Sequence, residues 1–298
     1  MLDSYYERHA KHLPSQVQAD IAIKSLKAFF GSGSVALVTP RNNERYIDRC
    51  RKEGLSNATI NQRFNRLRAA LRMAMKDGDL KAAPMVPMLE ENDPRADYLE
   101  RKQVAALLRA ARKRPHVAMF VRLAVYTGAR ASAILQLTWD RVDLKTGAVD
   151  FRLPGNRHSR KRRAVTAVPT RLLASLRRYR KRAATDHVIE YEGSPIKSIK
   201  RAFRETAKEA KLSWVTPHIL KHTAATLALR VASPWIVSGM MATSVRTLQK
   251  IYGKHMLGDL RAAAEAVAHS GIVRKERANP AKKRATRKRR NVKKSRRK

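Results

Sequence analysis

The sequence predicts a mainly α-helical protein: a small helical domain, then a mixed α/β domain of helices around a small β-hairpin sheet, then a disordered basic tail. Apolar residues recur at helical spacing along most of the chain. Two short strand patterns, residues 148–153 and 164–168, flank a basic loop. Residues 271–298 hold 15 Lys and Arg but almost no large apolar side chains, so burial there cannot offset the entropy lost on ordering.

A proline-rich segment divides the chain. Residues 84–97 contain three prolines and no helical period, which is typical of a linker. The sequence therefore predicts a first domain over residues 1–83, a second domain over residues 98–270, and the tail at 271–298.

The charge points to a polyanionic partner. The formal net charge is +41, and nucleic acid is the commonest partner for a surface this basic. A hydrophobic fraction of 43% is enough for packed cores. No apolar run approaches the ~20 residues of a membrane span, and the N-terminus lacks the apolar stretch of a signal peptide. The single cysteine, Cys50, excludes an internal disulfide and a cysteine-based zinc module, and it fits a reducing cytoplasm.

The clearest helix of the first domain covers residues 54–78. Ile60, Phe64, Leu67 and Leu71 are spaced by four, three and four residues, which forms one helical stripe. The remaining predicted features of this domain are helix ends at Ser56 and Gly78 and two further helices, 14–30 and 43–53.

The same helix carries basic side chains mostly off its apolar stripe: Arg63, Arg66, Arg68, Arg72 and Lys76. Such a run is usually no more than a solvated face. Few acidic residues are interleaved here, so salt bridges along the helix do not account for the cations. We interpret the helix as facing DNA, with Arg63, Arg66 and Arg72 as candidate DNA-binding residues. Arg160, in the basic loop between the two strands, is a further candidate.

The second domain combines helices with one hairpin. Residues 98–112 are amphipathic, and residues 117–126 are apolar nearly all round, as expected of a buried helix. A short helix carrying Ile134 and Leu137 follows, and then come the two strands with a cationic tip between them. Further helices are predicted over 170–182, 195–210, 217–230, 234–241 and 244–252.

Three segments hold the residue types that chemistry needs: 127–139, 216–226 and 243–255. Arg130 stands at a helix start after a glycine turn, where backbone N–H groups and a guanidinium form an anion site. His218, Lys221 and His222 place donors on one helix face, at spacings of three and four. Tyr252 is flanked by lysines, and a tyrosine hydroxyl of pKa ~10 is a poor nucleophile unless cations stabilise its phenolate.

Each of these residues also has an ordinary structural explanation. Arg130 would serve as a helix cap or surface charge, His218 as a satisfied histidine at a helix start, and Tyr252 as part of a core. For any one residue alone, that explanation is the more frequent. His218 and His222 have a spacing that suits zinc, but no third ligand at a suitable spacing follows, and no Walker-type phosphate loop occurs.

The order and spacing of these segments resemble the tyrosine recombinase (phage integrase) family. That family has Thr-Gly-x-Arg, a lysine on a β-hairpin, His-x-Leu-Arg-His-Thr, a His or Trp, and then Tyr. The matching stretches here are Thr-Gly-Ala-Arg130, Pro-His218-Ile-Leu-Lys-His222-Thr and Tyr252-Gly-Lys-His255. The helix at 59–71 is similar to the core-binding domain of these enzymes, so the resemblance covers about residues 15–268.

The resemblance implies a role for each matched residue. Arg130 would bind the scissile phosphate and stabilise its transition-state charge. Lys161, or Arg160 in another hairpin register, would protonate the leaving 5′ oxygen. His218 would contact the phosphate and act in proton transfer, and Tyr252 would attack phosphorus to form a 3′-phosphotyrosyl bond. That bond retains the energy of the broken phosphodiester, so the resemblance implies neither a nucleotide cofactor nor a metal.

Three positions depart from the family pattern. Lys221 stands where the family has a second arginine, and lysine lacks the bidentate fork for phosphate. Thr243 stands where the family has His or Trp, and it supplies no ring to support the tyrosine. Ala133 replaces an acid often found three residues after the first arginine. Each change weakens the expected chemistry.

The resemblance implies a site-specific recombinase or integrase, with phage integration, mobile-element transfer and chromosome resolution all open as its role. It would act as a homotetramer on double-stranded DNA at attachment-type sites, in the cytoplasm of a prokaryotic cell. Residues 1–83 would form the core DNA-binding domain, at which the protein is expected to start directly, and residues 98–270 would form the catalytic domain.

Two other functions remain open for this fold. A DNA-binding protein that has lost cleavage would account for the departures at Lys221 and Thr243. A type IB topoisomerase shares the tyrosine chemistry but relaxes a single duplex, and the two-domain layout and the surroundings of Tyr252 are more similar to an integrase.

Overall fold

A computed structural model describes residues 1–31, 35–92, 97–153 and 163–252, together with residue 265. The chain forms two compact units, Met1–Pro94 and Arg95–Lys298. The predicted fold class is confirmed, because helices dominate the described residues and the second unit contains short antiparallel hairpins. The predicted basic tail and the predicted hairpin tip lie outside the described residues. No described helix combines the length and apolarity needed to cross a membrane.

The first unit is built from helices that share one core. They are α1 (Leu2–Arg8), α2 (Gln16–Phe30), α3 (Pro40–Lys52) and α4 (Asn57–Lys76). Ile60, Phe64 and Leu67 of α4 belong to the predicted stripe and are at most 1% exposed. They pack in one cluster with Leu26 of α2 and Tyr46 of α3. The stripe on α4 is therefore the face that holds this unit together.

The ends of α4 follow the predicted capping residues. The Ser56 hydroxyl accepts a hydrogen bond from the Thr59 backbone N–H at 3.3 Å. Beyond the other end, Gly78 has a φ of +85°, a conformation that glycine adopts without strain. Helix α1 was not predicted, because only Leu2 and Tyr5 of its seven residues are buried and two positions do not make a periodic pattern.

The first half of the predicted linker is fixed to α3 and α4 by hydrogen bonds. The Asn61 side chain donates to the Leu89 carbonyl at 2.8 Å and accepts from the Leu89 N–H at 2.9 Å. The Asn43 side chain donates to the Met85 carbonyl at 3.0 Å. Both asparagines are at most 2% exposed. Residues 85–91 thus form part of the first unit although they lack helix and strand.

The second unit contains the remaining elements. They are α5 (Arg101–Ala110), α6 (Pro115–Thr127), α7 (Ala131–Leu135), β1 (Ala148–Asp150), β2 (Val165–Ala167), α8 (Thr170–Arg180), β3 (Glu190–Tyr191), β4 (Ser194–Pro195), α9 (Lys200–Glu209), α10 (Pro217–Leu229), α11 (Pro234–Met241) and α12 (Val245–Tyr252). Strands β1 and β2 pair antiparallel with Ala148 opposite Ala167, and β3 pairs antiparallel with β4.

The hairpins differ in detail from the predicted ones. Strands β1 and β2 are shorter than expected, although the Phe151 N–H still donates to the Ala164 carbonyl at 3.0 Å beyond the named strands. The β3–β4 hairpin stands where a helix was expected to begin at residue 195. Glu192 and Gly193 have φ values of 50° and 71°, which form the tight turn that joins the two strands. Helix α9 begins only at Lys200.

Helix α6 lies at the centre of the larger core. Val117, Met119 and Phe120 are fully buried, as predicted for a helix that is apolar all round, and α10 packs along it. Gly128 ends α6 with a φ of +62°, and a Cβ atom there would collide with the side chain of Met241 in α11. Glycine at this turn lets the chain that enters α7 approach α11 closely.

A smaller apolar cluster joins the last three helices. It contains Ala224, Ala225 and Leu229 of α10, Val237 and Met241 of α11, and Leu248 and Tyr252 of α12. This packing brings the end of α12 against α10.

Candidate functional site

Five of the predicted site residues line one cavity of about 320 Å³ in the second unit. The cavity is bounded by the start of α7, by α10, and by the turn between α11 and α12 together with α12 itself. Its polar and ionisable lining residues are Arg130, His218, Lys221, His222, Thr243, Ser244, Thr247 and Tyr252. None of these lining residues is acidic. The cavity is therefore suited to an anion.

Helix α10 supplies three of these side chains. It begins at Pro217, whose fixed φ suits the first position of a helix. His218, Lys221 and His222 follow at spacings of three and four, which places them on one helix face. Arg130 comes from the extended residue immediately before α7, with φ −66° and ψ 145°.

Lys221 is held inside the cavity by Thr243. Its side chain is 8% exposed, and Nζ donates to Thr243 Oγ1 at 3.0 Å. Thr243 Oγ1 in turn donates to the Met241 carbonyl at 3.3 Å. Burial, and secondly the positive charge of Arg130, lowers the pKa of Lys221 to about 8. A bound anion would offset both causes, because it supplies the opposite charge that the cavity lacks.

The two histidines of α10 are in contact and carry low pKa values. Their ring centroids are 4.6 Å apart, edge to face. Burial lowers the pKa of His218, and the charges of Lys221 and Arg130 lower it further. Burial, His218 and Lys221 lower the pKa of His222, while Asp97 acts in the opposite direction. Both imidazoles are therefore neutral at pH 7.

The hydroxyl of Tyr252 is bonded to the second histidine. Tyr252 is 3% exposed, and its Oη lies 2.6 Å from His222 Nδ1. Burial raises the pKa of Tyr252 to about 12, so the hydroxyl is protonated at neutral pH. His222 was not among the predicted site residues. The available signals were its place on one helix face with His218 and Lys221 and its match to the second histidine of the family motif.

A metal site at this cavity finds no support among the described residues. No group of three or more His, Cys, Asp or Glu side chains there is arranged to hold a metal ion. The cavity instead combines cationic donors, neutral imidazoles and one phenol. Such a set can bind a tetrahedral anion and present an oxygen nucleophile to it.

Two predicted residues cannot be compared with this arrangement. Lys161 and Arg160 lie in the loop that joins β1 to β2, outside the described residues. Ala133, which replaces an acid of the family pattern, is 3% exposed in α7.

The basic side chains of α4 are arranged differently from the exposed face that was expected. Arg63 has a side chain only 13% exposed, and its Nη1 donates to Ser25 Oγ at 2.7 Å. Arg66 donates to Ser15 Oγ at 2.8 Å. Both line a cleft of about 500 Å³ between α2 and α4, because long side chains beside the apolar stripe extend over it. Arg72 is exposed, as expected.

Two family models match the chain. The Phage integrase family matches residues 97–255, and the Phage integrase SAM-like domain matches residues 1–88. The chain is also similar to the tyrosine recombinase XerA of Saccharolobus solfataricus, with 27% identity over 185 residues. That match covers 62% of this chain and 56% of the relative, so it spans about half the length of this curated protein.

Solved integrase structures have the same fold. The Tn1549 transposon integrase in complex with transposon right end DNA has a TM-score of 0.76 and 17% identity, over 90% of this chain and 99% of that one. A lambda integrase dimer bound to a COC' core site has a TM-score of 0.66 and 18% identity, over 82% of this chain and 93% of that one. At these identities the likeness concerns the fold alone.

Proposed function

The chain belongs to the phage integrase family, and from this premise we propose that it is a site-specific DNA recombinase that cleaves and rejoins strands through a 3′-phosphotyrosyl intermediate. The observation that carries the proposal is a tyrosine hydroxyl in a cationic cavity whose described lining residues include no acid. We assign core DNA binding to residues 1–83 and catalysis to residues 98–270.

The proposed reaction begins with a diester phosphate in the cavity. The Arg130 guanidinium and the Lys221 ammonium bind its free oxygens and stabilise the charge that grows in the transition state. His218 adds a hydrogen bond to the same phosphate. Tyr252 Oη attacks phosphorus in line with the 5′ oxygen, and the P–O5′ bond breaks. The new phosphotyrosyl bond conserves the energy of the old one, so rejoining draws on no cofactor.

The leaving oxygen needs a proton. We assign this proton to Lys161, or to Arg160 in the other hairpin register, in the loop between β1 and β2.

The departures from the family pattern fit a working site. The lysine ammonium binds phosphate as a point charge, whereas an arginine guanidinium binds two phosphate oxygens at once. The Lys221–Thr243 hydrogen bond limits the freedom of the lysine, so it restores part of the orientation that an arginine would supply. We therefore propose that Lys221 and Thr243 act together at the phosphate.

The proposed substrate is duplex DNA at attachment-type sites of a phage or other mobile element. Lambda integrase has been solved as a tetramer bound to a Holliday junction, and we propose a homotetramer on DNA for this chain as well. We propose the cytoplasm of a prokaryotic cell as its location, and the buried free Cys50 is compatible with a reducing compartment.

The test uses nicked duplexes taken from the DNA that flanks the protein's own gene. After incubation, a denaturing gel should show wild-type protein linked to a 3′ end, and Tyr252→Phe should bind the DNA without forming this adduct. Tyr179→Phe is the matched control, because burial also raises the pKa of Tyr179 to about 12 although it lies outside the cavity. DNA binding without an adduct from the wild type would contradict the proposal and indicate a DNA-binding protein of the same fold.

A further inference from the structure

The roles assigned so far leave out the residue that touches the nucleophile. His222 Nδ1 lies 2.6 Å from Tyr252 Oη, and the two rings lie with their centroids 5.6 Å apart. Both side chains are at most 9% exposed. The contact joins the second turn of α10 to the end of α12, so it is a tertiary contact at the reacting atom rather than a feature of one helix.

Both ends of this hydrogen bond are neutral at pH 7. The Tyr252 hydroxyl keeps its proton, because burial raises its pKa to about 12. Burial, His218 and Lys221 lower the pKa of His222, so its imidazole is neutral. A neutral imidazole has one acceptor nitrogen. We assign His222 the tautomer with its proton on Nε2, in which Nδ1 accepts the hydrogen bond from Tyr252.

A phenol held in this way is a weak nucleophile without a base. With a pKa near 12, only about one molecule in 10⁵ has a phenolate at pH 7. A positioned base that takes the proton during attack contributes about 10²–10⁴-fold to a rate. Nδ1 of His222 is at hydrogen-bond distance from the proton to be removed, in the geometry that general base catalysis requires.

We propose that His222 is a catalytic residue that orients Tyr252 Oη and accepts its proton as the bond to phosphorus forms. This inference rests on the proposed recombinase function. In the step, the Oη–H proton moves to Nδ1, the Oη–P bond forms, and the P–O5′ bond breaks. The electron pair of the broken bond stays on the 5′ oxygen, which takes its proton from the general acid, Lys161 or Arg160. In rejoining, His222 returns its proton to the tyrosine.

The charges around His222 couple this base to the presence of DNA. The groups that face it are His218 and Lys221 on its own helix, Arg130 before α7, Asp97, and Tyr252 on α12. Lys221 disfavours the imidazolium while the cavity lacks an anion. A phosphate diester bound to Arg130 and Lys221 offsets that charge, so His222 becomes a stronger base when substrate is bound.

The test separates orientation from proton transfer. In His222→Asn, the amide oxygen stands near the place of Nδ1 and can accept the hydrogen bond, but an amide does not take up a proton at neutral pH. In His222→Leu, both abilities are lost. We expect His222→Asn to bind DNA and melt as the wild type does while its single-turnover cleavage slows by about 10²-fold or more. The fall of the wild-type rate towards acid pH should be absent from the variant.

Chemical rescue covers the case in which these variants fold poorly. In His222→Gly, added imidazole should restore adduct formation with a pH dependence that follows neutral imidazole. Failure of imidazole to restore cleavage in a folded His222→Gly protein contradicts the proposal. So does His222→Asn cleavage at the wild-type rate with an unchanged pH profile. A wild-type protein that forms no adduct contradicts the recombinase function itself, so the two failures are distinguishable.

Discussion

Raising the pH should weaken cleavage through Lys221, which among the described lining residues is the cation with a lowered pKa. An ordinary arginine side chain keeps its charge over this pH range, whereas burial and Arg130 lower the pKa of Lys221 to about 8. One pH unit above its pKa, a lysine keeps its proton in about one molecule in ten. We therefore expect kcat/KM for DNA cleavage to fall about tenfold for each pH unit above about 8, since kcat/KM reports the free protein.

Two consequences of the lowered Lys221 pKa distinguish loss of cleavage by deprotonation from loss of cleavage by unfolding. Bound phosphate raises the pKa of Lys221, so kcat at saturating DNA should fall only at a higher pH. Folding behaves in the opposite sense. The pKa of Lys221 in the folded protein lies below the ordinary lysine value of 10.5, so the unfolded chain binds more protons at this site between about pH 8 and 10.5. The contribution of Lys221 to the free energy of unfolding therefore rises with pH. Deprotonation of Lys221 therefore does not unfold the protein at alkaline pH, and activity lost there through Lys221 reflects the site itself.

Lys221→Arg provides the control for this prediction. The variant keeps its charge at every pH, so the alkaline fall in kcat/KM should disappear, and its fork should raise the cleavage rate above that of the wild type. The assay is single-turnover cleavage of nicked DNA at subsaturating concentration, from about pH 6 to about pH 9.5. A flat wild-type profile, or the same fall in Lys221→Arg, would refute the reasoning. Loss of cleavage in Lys221→Arg with DNA binding intact would show a cavity adapted to lysine.

Three further predictions concern DNA binding and stability. DNA affinity should fall steeply with salt concentration, because phosphate contacts release counterions, and a flat plot of log Kd against log salt counts against it. Deleting residues 271–298 removes 15 Lys and Arg and should weaken low-salt binding without changing the melting temperature, whereas unchanged affinity would give the tail another role. Asn61→Ala should lower the free energy of unfolding of the first unit in urea by about 1–3 kcal/mol, because Leu89 loses both hydrogen bonds, while the exposed neighbour Gln62→Ala should have little effect.

The helices were predictable because their signals are local. The stripe of Ile60, Phe64 and Leu67 repeats within one element, and Ser56 caps the same element. The turn at Gly128 could be located, but its close approach to Met241 depends on a helix more than a hundred residues later. Sequence reasoning thus reached the elements and most of the cavity residues, since the family pattern preserves their order.

The missing parts depend on tertiary contacts. The distance from His222 to Tyr252 is set by how α12 packs on α10, and no spacing along the chain encodes it. Arg63 lies off the apolar stripe of α4, yet its side chain extends under α2 to Ser25. A charge count identifies such a residue as basic but does not say which neighbour covers it. For the same reason, the contacts that fix residues 85–91 were not predicted.

The most direct test of the central claim is to identify the residue that carries the DNA. Wild-type protein trapped on a nicked attachment site would be digested with nuclease and protease, and the peptides sequenced by mass spectrometry. The account predicts a 3′-phosphonucleotide on Tyr252, whose hydroxyl lies in the cavity with Arg130 and Lys221. A nucleotide on any other residue would contradict it.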